Sequence, residues 1–188
     1  MKRFAKTLAM LGIGGAIAIL TLGCNATIDR TQVESSLQQA LISAEAENYS
    51  EAIAQYDKVL KLDSDSVEAY YNRGFARYKT LDSEGAIADY TEAIARDRNY
   101  IPAYTNRGAA YLEQQEYEKA VGDFSYAIGL QPDLALAYYN RGIARYQLGQ
   151  VGEGKEDLEK AAGLYKEQGQ TEIEQQVMAA IAQLENQN

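Results

Sequence analysis

The sequence predicts an all-α protein, a solenoid of about four stacked helix pairs closed at its C-terminal end by one more helix. Three observations carry that expectation. The stretch AYYNRGFARY (Ala69–Tyr78) returns as AYTNRGAAYL (Ala103–Leu112) and as AYYNRGIARY (Ala137–Tyr146), each 34 residues after the last. Apolar residues fall at helical spacing, as in AIADYTEAI, where Ala86, Ile87, Tyr90, Ala93 and Ile94 share one face. Only two prolines interrupt 188 residues, and proline is what the interior of a helix cannot accept.

Composition narrows the function before any motif is read. Hydrophobic residues make up 46% and charged residues 24% of the chain, a globular balance. The net charge is -9, and because residues 1–23 hold three cations and no acid, the remainder carries -12. A body that acidic repels phosphate backbones, which argues against a nucleic-acid partner. There is no histidine, a single cysteine (Cys24) and no glycine-rich phosphate loop. The expected protein is therefore non-catalytic, with no cofactor and no metal. The acidic Asp63-Ser64-Asp65 reads as a solvated turn, since three such residues fall short of a calcium loop.

The first element, residues 1–23, reads as an address rather than part of the fold. A basic start (MKRFAK) precedes the uncharged apolar run Leu8–Leu22, 15 residues long and followed by Gly23-Cys24. That run is short for a bilayer span of ~20 residues but suits a secretory leader. With the small Gly23 before the lone Cys24, it resembles a bacterial lipoprotein signal. The resemblance implies lipid on the Cys24 sulfur and a membrane tether in the cell envelope, with Asn25 rather than Asp favouring the outer membrane. An uncleaved anchor and an ordinary signal peptide are the rival readings. Residues 24–32 follow as a short polar tether; the sequon Asn25-Ala26-Thr27 carries no weight in that setting.

The next four elements are units at 33–66, 67–100, 101–134 and 135–168. Counting from each unit's first residue, the eighth place holds Ala40, Gly74, Gly108 and Gly142, and the twentieth Ala52, Ala86, Ala120 and Gly154. Small residues there let two antiparallel helices approach closely. The bulky twenty-fourth place (Tyr56, Tyr90, Phe124, Leu158) fills the space beside the contact. Such pairs cannot bury their apolar faces alone and must stack on their neighbours. On these residues the array resembles tetratricopeptide repeats (TPR), which implies a right-handed superhelix. Tyr70, Tyr104 and Tyr138 stand where that family often has Trp. Only Pro132 fills the usual proline near a unit's end, with Ser64 and Arg98 in the earlier units, whose connections are expected to be less tightly pinned.

The last element, residues 169–188, is expected to be a capping helix. Thr171-x-x-Glu174 has the form of a capping box, and Ile173, Val177, Ala180, Ile181 and Leu184 form one apolar stripe. A dimerisation helix is the rival reading of that stripe.

Arginine recurs at the seventh place, as Arg73, Arg107 and Arg141, and aspartate at the twenty-third, as Asp89, Asp123 and Asp157. In the first unit both places change together, to Gln39 and Gln55. The joint change points to contact between the two places, a ladder of structural Arg–Asp ion pairs, because half-buried charges need partners. A row of ligand-binding arginines is the alternative.

The TPR resemblance also implies a concave groove, lined here by Tyr71, Asn72, Phe75, Tyr78, Thr105, Asn106, Leu112, Tyr139, Asn140, Ile143 and Tyr146. Rigid tyrosines beside amides that both donate and accept suit an extended peptide or a helix. Inter-repeat packing is the competing role, above all for Phe75 and Ile143. The lysines with which co-chaperones of this family clasp acidic C-termini are missing from the matching places. The expected function is a membrane-tethered adaptor or scaffold that binds another envelope protein. A holdase-like assembly factor for envelope or membrane proteins is the alternative.

Overall fold

The computed structural model describes residues 30–185, and over them the chain is α-helical throughout. In order the helices are α1 Arg30–Glu45, α2 Tyr49–Leu62, α3 Val67–Lys79, α4 Ser83–Arg96, α5 Ile101–Glu113, α6 Tyr117–Leu130, α7 Ala135–Gln147, α8 Val151–Glu167 and α9 Thr171–Glu185. Consecutive helices pack on one another, and α5 also touches α3 and α7. The result is a solenoid of four helix pairs with α9 covering the open end. Cys24 and the address read into residues 1–23 lie outside the described residues. The helix α1 starts at Arg30, inside the stretch read as a tether.

Each pair is held close where its small residues cross. A Cβ on Gly108 would sit 3.0 Å from two ring carbons of Phe124. In the fourth pair a Cβ on Gly142 or Gly154 would lie 2.9 Å from the other glycine's carbonyl oxygen. The bulky side chains beside these crossings, Tyr56, Tyr90, Phe124 and Leu158, are buried.

The turn inside each pair repeats as faithfully as the helices. Glu47, Leu81, Gln115 and Gly149 all take left-handed backbone, with φ of 58°, 65°, 61° and 76°. The next amide then reaches back five positions, as in Asp82 N to Arg77 O at 2.9 Å, which closes the helix end. Only Gly149 adopts this conformation free of a Cβ clash; the three side-chain-bearing residues are held there by that bond. The first two connections between pairs are pinned without proline. Asp63 and Asp97 each accept the amide two residues on, from Asp65 at 3.1 Å and Asn99 at 2.8 Å. The looser connections expected at Ser64 and Arg98 are thus held by Asx turns.

At the C-terminal end Val177 and Ile181 bury against Ala161, Ala162, Leu164 and Tyr165, while Ile173 stays 39% exposed. The capping box does not form. The amide of Glu174 bonds to the Gln170 carbonyl at 3.0 Å, so the helix begins one residue before the box requires, and Thr171 is already inside it. None of the described helices is long and apolar enough to cross a membrane.

Candidate functional site

The arginines of the seventh place enter the array from α3, α5 and α7. Arg73 donates from Nε and Nη2 to Asp89 at 2.9 and 2.5 Å, Arg107 to Asp123 at 2.8 and 2.7 Å, and Arg141 to Asp157 at 2.8 and 2.7 Å. Each fork therefore joins the two helices of one pair bidentately. The remaining Nη1 reaches the preceding pair: Asp57 at 2.6 Å, Thr91 at 2.9 Å and Ser125 at 3.0 Å. Every guanidinium also lies over the tyrosine three residues earlier, Tyr70, Tyr104 and Tyr138, at 5.5, 5.8 and 5.4 Å from the ring centre. Burial opposes the charge on Arg73 and Arg107, but the facing carboxylates outweigh it and hold both above the ordinary arginine value.

Two parts of this ladder are absent from the sequence reading. The outer arms Asp57, Thr91 and Ser125 share one register, yet a carboxylate and two hydroxyls do not look like a repeat. Arg77 and Arg145 add a second cation to Asp89 and Asp157, at 2.9 and 2.7 Å. The contact inferred from the joint change is present in the three Arg–Asp units, whereas the glutamines of the first unit do not meet each other. Gln39 is exposed, and the buried Gln55 donates to Glu51 at 2.5 Å and accepts from Lys58 at 3.1 Å, both on its own helix.

The face formed by α3, α5 and α7 gathers the residues assigned to a groove, and it uses several of them as braces. The Asn106 amide donates to Tyr71 Oη at 3.1 Å, whose ring also meets Tyr100 edge-on at 5.3 Å. Tyr78 donates to Glu113, and Tyr146 to the Leu184 carbonyl of α9 at 2.7 Å. Burial, together with Glu113, pushes the Tyr78 hydroxyl up to about 12. Thr105 turns its hydroxyl back to the carbonyls of Ile101 and Pro102. Leu112 packs on the cluster around Phe124, and Tyr139 and Ile143 pack on the one around Leu158. Phe75 meets Tyr49 edge-on at 6.4 Å and carries Lys79 over its ring. Asn72 and Asn140 are half-buried along the same line.

Among the described residues, three hollows open on this side. The largest of these three, about 410 Å³, lies between α5 and α7 and is lined by Tyr100, Ile101, Thr105, Leu134 and Leu136. Leu136, 58% exposed, also borders a hollow of about 250 Å³ shared with Tyr139, Tyr165, Ile173 and Val177. The third, about 60 Å³, sits among Phe75, Tyr78, Tyr90, Asn106 and Ala109. The linings are apolar and aromatic with a few amides, which suits side chains of a bound segment. Among the described residues no group of three or more His, Cys, Asp or Glu could hold a metal ion.

Comparison with known proteins follows the same lines. Family models described as tetratricopeptide repeat match residues 67–100, 89–122 and 107–185, and one described as TPR repeat matches 42–80. Together they run from 42 to 185 without a gap. The crystal structure of MamA superposes with a TM-score of 0.72 at 27% identity, over 76% of this chain and 83% of that one. The first TPR of Spaghetti (RPAP3), bound to the HSP90 peptide SRMEEVD, gives 0.64 at 25%, over 66% and 99%. The second TPR domain of human RPAP3, in complex with the HSP70 peptide SGPTIEEVD, gives 0.59 at 25%, over 62% and 97%. No curated protein matches the chain.

Proposed function

Because this chain belongs to the tetratricopeptide repeat family, a non-catalytic fold for binding proteins and peptides, we propose that it is an envelope adaptor. In this reading Cys24 tethers it to a membrane, the outer one where the cell has two, and the face of α3, α5 and α7 holds an extended segment of a protein partner. The observation that carries the reading is the run of apolar hollows on either side of the exposed Leu136, next to Thr105 and Tyr139. The peptides bound by the RPAP3 domains are acidic, whereas this face offers Tyr71, Thr105 and Tyr139 where an acidic tail would need lysine. Its guest is therefore a neutral segment with apolar side chains, not an acidic C-terminus.

The test places photo-reactive groups at Thr105, Leu136 and Tyr139 and, as a control on the opposite side, at the exposed Glu118, in cells that are then fractionated. One dominant crosslinked partner from the first three positions is expected, with the chain in the membrane fraction until Cys24→Ser releases it. Crosslinks from Glu118 alone would sink the groove, and a Cys24→Ser chain that stays with the membrane would sink the anchor. Many weak clients at the same positions would favour a holdase.

A further inference from the structure

One departure of the repeat from its own pattern on the face of α3, α5 and α7 opens space. The ninth place is large in three units, as Leu41, Phe75 and Ile143, and small in the third, as Ala109. Beside Ala109 lies the cavity of about 60 Å³ walled by Phe75, Tyr78, Tyr90 and Asn106. One water needs on the order of 10–15 Å³ of such space, so this cavity admits a group of a few heavy atoms.

Its polar groups are set for a guest. Tyr90 is fully buried, and its hydroxyl is the one buried side-chain polar atom among the described residues with no hydrogen-bond partner. Burial pushes the Tyr90 pKa up and outweighs the neighbouring Asn106 amide, which faces the hydroxyl outside hydrogen-bonding geometry and draws the pKa down, so the oxygen keeps its proton and remains a donor. The amide nitrogen of Asn106 is engaged by Tyr71 Oη at 3.1 Å, which leaves its amide oxygen to accept. The charges at the rim oppose each other, Glu113 on Tyr78 and Lys79 over Phe75. Aromatic walls disfavour a dehydrated ion.

We propose that this cavity is a recognition subsite for a primary carboxamide, such as an asparagine side chain of the bound segment. Tyr90 Oη donates to the guest's carbonyl oxygen, and Asn106 Oδ1 accepts from its amide nitrogen. The assignment rests on the peptide-binding reading of this face, but a small probe tests it without a protein partner.

The probe is acetamide, titrated into the protein while the Asn106 side-chain amide and the Ala109 methyl are followed by NMR. Saturable shifts are expected, weakened at least fivefold by Tyr90→Phe and removed by Ala109→Leu, or by Ala109→Val should leucine prevent folding. Tyr90→Phe should leave the melting temperature unchanged or higher, because it deletes an unsatisfied hydroxyl. No saturable shift, an equal response in Tyr90→Phe, or equal binding of acetate would overturn the proposal. So would a lower melting temperature for Tyr90→Phe, the mark of a hydroxyl satisfied by a permanent water. Crosslinks at Thr105 and Tyr139 without acetamide binding would leave the adaptor standing and remove only the subsite.

Discussion

Arg107 meets Asp123 with two nitrogens and Thr91 with a third, and its side chain is only 15% exposed. Taking away a partner at that depth leaves a charge that water reaches only in part. Asp123→Asn is expected to cost roughly 3–5 kcal/mol, read as a shift in the urea midpoint. Asp57, the outer arm of Arg73, is 43% exposed, and Asp57→Asn should cost under about 1 kcal/mol. Equal losses would mean that burial does not govern these pairs. Restoring part of the stability of Arg107→Asp with Asp123→Arg would measure the coupling directly. At this scale the sequence says much about like groups and little about unlike ones. Arg and Asp at fixed places stand out, whereas Asp57, Thr91 and Ser125 share a role but no chemistry. The hydroxyl contacts of Tyr71, Tyr78 and Tyr146 depend on where neighbouring units place their rings, and no local pattern records that.

Within one helix pair, the decisive quantity is how near two backbones come. Unit four replaces the alanine found at the twentieth place of the other units with Gly154, and restoring that alanine looks like a harmless return to the pattern. It is not expected to be harmless. A Cβ on Gly154 would lie 2.9 Å from the Gly142 carbonyl oxygen and 3.2 Å from the Tyr146 amide nitrogen, and backbone atoms cannot swing aside as a side chain can. Gly154→Ala should lose about 1–3 kcal/mol in chemical denaturation. Unchanged or greater stability would show that α7 and α8 separate without penalty. Helix periods and crossing points are legible because they recur, and helix starts are less so. The Thr171-x-x-Glu174 spelling is that of a capping box, but Gln170 already supplies the carbonyl that opens α9. The prolines missing at Ser64 and Arg98 are likewise replaced by aspartates one residue earlier.

Across the whole array, α9 seals the last pair, with Val177 and Ile181 on Leu164 and Tyr165. Deleting residues 169–188 should lower the melting temperature and cause self-association in sedimentation, since that surface is then bare. A truncated chain as stable and monomeric as the full one would refute the cap. A full-length dimer that truncation turns into a monomer would instead support the dimerisation helix. The ladder behind this seal also works as punctuation. Each arginine takes its outer partner from the pair before it, so a rung can be added only in one direction along the chain. The column that carries them reads Gln39, Arg73, Arg107, Arg141 and then, one period further into α9, Gln175. Glu159 occupies the register where a fourth arginine would find its outer acceptor, but the next place in the arginine column is a glutamine. A neutral letter at each end of a charged series is a start mark and a stop mark, and the three rungs between them join four helix pairs.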